Sequence, residues 1–311
     1  MQFFSDMYIN DIKGGLTDPK AVCNIEKQTM ATALVNGNNG LGAVVGKFCM
    51  DLAIEKARDS GIALVVTHGS NHYGIAAMYA LQAIEKGFIG MSFTNTSPFM
   101  APTRAKAAAL GTNPLSLGAP ALKGDSFLLD MATTAVAVGK IELQKRKGLP
   151  IPDGWAMNED GKPETNAEIA YKAGKLMPLG GVETNSGYKG YGLGMLVEIF
   201  CGMLSGSAYG PNVRKWGAHG HLANLGQAFL AIDPKCFAPG FEDRLSDLMG
   251  SIRNMEPADP EKPVLMHGDK EKHHIERVNC EGGLRYVKNQ HDTNAKLAKE
   301  LNVKPMESKA V

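Results

Sequence analysis

A helical pattern that runs straight into a β-branched block sets the first limit on this fold. From about Gly42 to Ser60, Val45, Phe48, Leu52 and Ile54 recur near helical spacing, and Gly61 stands just past the end as a C-cap. Ile62-Ala63-Leu64-Val65-Val66 follows at once and reads as a buried strand. The same alternation continues on either side. ATALVNG, up to Gly37, is strand-like, a helix is predicted from Ile75 to Lys86 with Gly87 closing it, and Ile89 to Thr94 is a strand. Further strands are predicted at 115–118, Ser126–Asp130 and Phe229–Ile232. Further helices are predicted over Met131–Lys147, Gly190–Leu204 and Phe241–Asn254, with a short one at Lys296–Leu301. Residues 16–31 read as loop, then strand. Residues 148–187, rich in Gly, Pro, Asn and Asp, read as a long loop with short inserts. Alternating helices and strands give an α/β or α+β class, and the long loop argues against a simple doubly wound sheet.

Composition narrows the function. Hydrophobic residues are 44% and charged residues 21%, enough for a sizeable core. With 33 basic and 32 acidic side chains the net charge is +1. That excludes the concentrated basic field a nucleic-acid or membrane-surface protein needs. Cys23, Cys49, Cys201, Cys236 and Cys280 never form a C-x-x-C pair, so neither zinc spacing nor a disulfide framework is present, and no metal site is expected. The N-terminus MQFFSDMYINDIKGG lacks a basic n-region and meets Asp6 early, unlike a secretory signal. The most apolar stretch, Tyr191 to Leu204, is interrupted by Glu198 and is too short to span a bilayer. The expectation is a soluble cytoplasmic protein. Glycine, 36 of 311 residues, is in excess and implies tight turns or close backbone approaches to a ligand.

Three motifs carry candidate chemistry. Gly40-Leu41-Gly42-Ala43-Val44-Val45-Gly46 resembles a dinucleotide fingerprint, but its spacing is G-x-G-x-x-x-G and no acidic residue ends the next strand. The plainer reading is a helix N-terminus packed closely on a strand. Ser186-Gly187-Tyr188-Lys189-Gly190-Tyr191-Gly192-Leu193-Gly194 leads into an apolar helix. It reads equally as an anion site made of amides and a lysine, or as glycines that let the helix pack tightly. His68-Gly69-Ser70-Asn71-His72-Tyr73-Gly74 is a polar loop after a buried strand, the place where open α/β sheets carry functional groups. His72 there is either a proton acceptor or a loop histidine bonded to backbone. The other histidines, His219 among them, have no convergent spacing. No G-x-S-x-G elbow, Walker A loop or H-E-x-x-H occurs.

Several segments in order, VVTHGSNHYGIAAMYA, FTNTSP, LGTNPLSLGAP, LLDMATTAVAVGKI and GYKGYGLGMLVEI, resemble the type-2 malate/L-lactate dehydrogenase family, which also holds sulfolactate and ureidoglycolate dehydrogenases. The resemblance covers nearly the whole chain, from Met7-Tyr8-Ile9 to the region of Glu300. It implies a non-Rossmann fold with a central NAD(P)-binding domain, residues 78–235, and a discontinuous N/C-terminal domain made of 1–77 and 236–311. It implies a homodimer that interconverts a 2-hydroxy acid and its 2-keto acid by hydride transfer, using NAD, with NADP as the other possibility.

Carried over residue by residue, His72 is the proton acceptor, beside Asn71. Thr96 lies near the cofactor. Asp130, Met131 and Ala132 match a cofactor segment, as do Tyr188 and Lys189. His267, Gly268 and Asp269 match a further cofactor segment, with His267 where proline is usual. One departure concerns the substrate. The family's Ser-His-Gly and following Arg precede the Met-Tyr of the first helix, whereas here Phe3 and Phe4 stand about where the Arg would be. The expectation is a chain lacking the family's first segment, with reduced activity. Arg104 and Lys106 are possible substitute clamps for a substrate carboxylate. The rival reading is a catalytically impaired paralogue that acts as a dimer partner or cofactor-binding protein.

Overall fold

The run at Ile62–Val66 is the start of a longer strand near the middle of a seven-stranded sheet. The computed structural model describes residues 2–215, 217–218, 220–286 and 288–308, without the side chains of 2–6 and 289. Phe3, Phe4 and His219 therefore lie outside the described side chains. In chain order the first elements are α1 (Gln2–Lys13), β1 (Asn24–Gln28), β2 (Thr32–Asn36), α2 (Gly42–Ser60), β3 (Ile62–Ser70), α3 (Ala77–Ile84) and β4 (Ile89–Thr94). Then come β5 (Leu115–Pro120), β6 (Ser126–Met131), α4 (Val138–Lys147), β7 (Ala156–Met157), β8 (Pro163–Glu164), α5 (Ala167–Ala173) and β9 (Lys175–Leu176). The last are α6 (Gly187–Glu198), β10 (Leu225–Ile232), α7 (Phe241–Arg253), α8 (Asp269–Glu281) and α9 (Lys288–Glu300).

The sheet order is β1-β2-β3-β10-β4-β5-β6. Only β2 and β3 run parallel; every other neighbouring pair in this sheet is antiparallel. Strand β10 is far away in sequence yet inserts between β3 and β4, pairing Phe229 with Val65 and with Ser92. This is the α+β alternative, with no Rossmann order. Adjacent residues of the central strands serve opposite faces. Val65 and Phe229 pack under α2 with Val45, Cys49, Met50 and Ala53. Val66 and Ala228 pack on the other face with Leu193, Val197 and Cys201 of α6 and its continuation. Helices therefore cover both faces, as a strand apolar on both sides requires.

Several boundaries differ from the sequence reading. The loop after β3 opens at Asn71, because His68 to Ser70 still belong to the strand; the backbone of Ser70 is in register with Leu225. The helical pattern from Met131 starts only at Val138. The intervening amides go elsewhere, Thr133 N–H to Thr112 O at 2.9 Å and Ala135 N–H to Met177 O at 2.9 Å. The segment 148–187 holds α5 and a small sheet ordered β8-β7-β9, which bury Ile151, Ala156, Ala170 and Leu176. Asn166 caps α5 by accepting from the amides of Glu168 and Ile169. Helix α6 begins at Gly187, earlier than its apolar run, and widens into a π-turn at Ile199–Met203. The predicted terminal helix is longer, α1 holds the Met7-Tyr8 pair that the resemblance places in a first helix, and α8 adds a helix the spacing does not show. No helix among the described residues is long and apolar enough to cross a membrane.

Candidate functional site

One end of the sheet gathers the chemistry. The register places the ends of β3, β4 and β6 beside the starts of β10 and β5. Asn71 and His72, Thr96, Asn113, Asp130 to Ala132 and Ala223 all follow or precede those strand ends, so they collect at that edge. A small cavity of about 20 Å³ lies there, lined by Met7, Asn71, His72, Thr96, Ser97, Arg214, Ala223 and Leu225.

His72 is held from α1. The hydroxyl of Tyr8 lies 2.6 Å from His72 Nδ1, and the Gly74 amide donates to the same nitrogen at 3.3 Å. An amide can only donate, so Nδ1 is the acceptor and the neutral ring carries its proton on Nε2. Burial, which penalises the charged ring, lowers the His72 pKa to about 4. The imidazole is thus neutral at neutral pH, with its lone pair on Nδ1. Burial also raises the Tyr8 phenol, which stays protonated.

Asn71 is held on every side. Its Nδ2 donates to Asp11 Oδ2 at 3.0 Å and to Thr17 Oγ1 at 2.6 Å, and its Oδ1 accepts the His72 amide at 2.8 Å. Gln227 Nε2 donates to Asn71 O at 2.8 Å. Tyr8 and Asp11 are three residues apart and so share a face of α1. Asp11 in turn receives two bonds from Arg214, Nη1 to Oδ1 at 3.1 Å and Nη2 to Oδ2 at 2.7 Å. The glycine of the first Gly-rich loop also acts here. A Cβ on Gly42 would lie 2.1 Å from Asn71 O and 2.4 Å from His72 O. The loop therefore serves close packing of a helix start against the backbone that carries His72, the plainer of its two readings.

Thr96 is fixed from behind. Its amide donates to Asn113 Oδ1 at 3.1 Å, and its Oγ1 accepts the Thr112 amide at 2.9 Å. Asn113 Nδ2 donates to Gly194 O at 3.1 Å, which ties Thr96 to α6. Glu198, which interrupts the apolar run, is buried and accepts the Gly210 amide; burial raises its carboxyl. Asp130 accepts the Ala77 amide at 3.2 Å at the start of α3, Met131 joins the core beneath α6, and Ala132 follows at the strand end.

The remaining predicted residues stand outside the cavity lining. Tyr188 and Lys189 are exposed on the first turn of α6. The amides of Gly187 and Lys189 donate to the carbonyls of Val182 and Ser186, at 3.1 and 2.9 Å. A Cβ on Gly187 or Gly190 would strike the backbone of Gly181 or Leu179, so those glycines let α6 pack against the 179–182 segment. His267 accepts the Leu128 amide at 3.1 Å beside the edge strand β6, and Gly268, at φ 101°, precedes α8. Asp269 accepts two bonds from Arg253, at 2.9 and 2.6 Å, which hold its carboxyl below the usual range. Arg104 forms an exposed pair with Glu183 and Lys106 an exposed pair with Asp160, so neither lines the cavity.

Sequence reasoning missed Tyr8, Asp11, Thr17, Arg214 and Gln227. Asp11 and Arg214 are 203 residues apart, and no spacing rule reaches that far. The Tyr8–Asp11 spacing on a helix was the one signal available.

The sequence matches the malate/L-lactate dehydrogenase family over residues 2–293. It is 41% identical over 266 residues to the malate dehydrogenase of Pyrococcus horikoshii, covering 85% of this chain and 73% of that one. It is 32% identical over 257 residues to the ureidoglycolate dehydrogenase (NAD(+)) of Escherichia coli, covering 81% and 71%. The crystal structure of malate dehydrogenase from Entamoeba histolytica superposes with a TM-score of 0.90 at 32% identity, over 97% of this chain and 86% of that one.

Proposed function

The chain belongs to the malate/L-lactate dehydrogenase family, and from that premise we propose that it interconverts a 2-hydroxy acid and its 2-keto acid with a nicotinamide dinucleotide. The observation that carries this reading is a partly buried, neutral His72 whose lone-pair nitrogen is held by Tyr8 in a cavity at the sheet end. The bound dinucleotide supplies hydride acceptance and donation. The chain's own residues handle the proton and the positioning. In the oxidising direction the C–H electron pair leaves the carbinol carbon as hydride, the C=O bond forms, and the hydroxyl proton goes to His72 Nδ1, the nitrogen that accepts from Tyr8, so the Tyr8 hydroxyl must turn aside or relay that proton. In the reducing direction a protonated His72 returns that proton to the ketone oxygen. Asn71, fixed by Asp11, Thr17 and Gln227, sets the place of the ring. Burial keeps water from competing for the proton.

Thr96 and the strand end at Asp130, Met131 and Ala132 are the residues best placed to hold the dinucleotide, since they stand at the same sheet end as His72. Tyr188, Lys189, His267, Gly268 and Asp269 complete the proposed cofactor set. For Asp269 the fit is poor, because Arg253 already holds its carboxylate. The division into a cofactor-holding part, 78–235, and a part made of 1–77 and 236–311 belongs to the same proposal. One sheet runs through both, and the cavity draws His72 from one and Thr96 from the other. A homodimer is proposed from the apolar stripe that α6 and its π-turn leave exposed, with Met195, Leu196, Ile199 and Met203. A role as a non-catalytic partner is not favoured by a site in which the proton acceptor is this fully held.

The test is turnover of the purified protein, followed by the absorbance of the reduced nicotinamide. NADH and NADPH are each tried with oxaloacetate, pyruvate and other small 2-keto acids. Consumption with at least one acid is expected; none with any acid and either cofactor would sink the reading.

A further inference from the structure

We propose that Arg214 receives the carboxylate of the substrate, and that Asp11 holds the same guanidinium as a resident carboxylate when substrate is absent. This rests on the dehydrogenase reading above. A 2-hydroxy acid carries its carboxylate one bond from the carbinol carbon, so the group that binds it must share the cavity of His72. Among the described residues Arg214 is the cationic side chain that lines that cavity. Its side chain is 6% exposed and that of Asp11 is 1% exposed. The two form a forked, two-bond pair, the geometry that a guanidinium offers to any carboxylate.

The guanidinium also has capacity to spare. Of its five N–H groups, two go to Asp11 and one to His221 O at 3.3 Å. The Nε–H and the second Nη2–H have no acceptor among the described residues. The backbone behind Arg214 is anchored, since Ser97 Oγ donates to Arg214 O at 2.6 Å. The head group is thus presented to the cavity from a fixed base.

The size of the cavity supports an exchange. About 20 Å³ has room for a single water molecule and none for a hydroxy acid. Space must come from the α1 face, which contributes Met7 to the lining and Asp11 to the pair. When a substrate carboxylate replaces that of Asp11, one charge-assisted pair is traded for another, and the buried guanidinium is never left bare. Asp11 would then govern how readily the site opens.

The test compares Arg214→Met, Arg214→Lys and Asp11→Asn with the parent protein. KM for the best 2-keto acid is measured, together with the dissociation constant of oxamate, a carboxylate that is not turned over. Arg214→Met is expected to raise both by about 100-fold, the size of a lost charge-assisted pair. Arg214→Lys, which keeps the charge and loses the fork, is expected in between. Asp11→Asn removes the competing charge and is expected to lower both. Reduced-cofactor affinity should not move in any of them. Values for Arg214→Met within threefold of the parent overturn the proposal. So do values for Asp11→Asn that are unchanged or raised, and that variant decides the matter if Arg214→Met fails to fold. Oxamate separates the two claims: loss of its binding in Arg214→Met supports the clamp even if no 2-keto acid is turned over, an outcome that counts only against the dehydrogenase reading.

Discussion

Two arginine–carboxylate clusters in this molecule differ in what surrounds them, and the difference separates function from stability. At the sheet end, Arg214 and Asp11 are almost wholly buried, and Arg214 lines a cavity shared with His72. At the outer edge, Arg253 joins Asp125 and Asp269, and Lys272 also reaches Asp125. These side chains are between 8% and 34% exposed. The edge cluster pins α7 and α8 to the start of β6, so it covers an edge strand, and none of its residues lines the cavity of His72. Desolvation pushes the Asp125 carboxyl up, but Arg253 and Lys272 outweigh it and hold it far below the usual range. The same chemistry is thus a fastening in one place and a binding surface in the other.

The largest effect that would sharpen this contrast comes from Gly42. A Cβ there overlaps the Asn71 and His72 carbonyls, which cannot yield as a flexible side chain would. Gly42→Ala should cost about 1–3 kcal/mol of stability, as overpacking does, and displace the His72 backbone. A fall in kcat of tenfold or more is expected, because small misplacements of a proton acceptor are costly. Thermal melting and turnover of the variant check both.

Arg253→Met is expected to act on stability alone, by about 1–2 kcal/mol once partial exposure is discounted. The carboxyls it holds titrate below their unfolded values, so its contribution is full above the unfolded carboxylate range and fades as pH falls through the folded values. The melting-temperature gap to the parent should be open at pH 7 and shrink steadily toward pH 3. A change in KM for the keto acid, at any pH, would break the distinction between the clusters. The smallest effect is reserved for Arg104→Ala. Its bidentate partner Glu183 is exposed, so no measurable shift in melting temperature and no kinetic change are expected.

Much of the fold was legible because its signals are local. Helix α2, its Gly61 cap and strand β4 follow from spacing and from one αL glycine. The His72 loop was legible as a polar segment after a buried strand. What the sequence hid was non-local. The place of β10 between β3 and β4, and the meeting of Asp11 with Arg214, depend on pairings that no window of neighbouring residues contains. The small sheet in 148–187 escaped for another reason: its strands are two residues long, too short for a period to register. The Gly40–Gly46 loop was legible as a helix start packed closely on its surroundings, without singling out Gly42. What Gly42 must approach is the backbone of Asn71 and His72, which only the packed structure reveals.

The central claim is that His72 carries the proton, and His72→Asn tests it most directly. Its kcat for the best 2-keto acid should fall at least about 100-fold, the range lost with a general acid–base group, while reduced-cofactor affinity stays at the parent value. In the parent, kcat/KM for hydroxy-acid oxidation should not decline on account of this base until pH nears 4, where the ring takes up a proton. A His72→Asn protein that turns over as fast as the parent, with the same pH profile, would contradict the account.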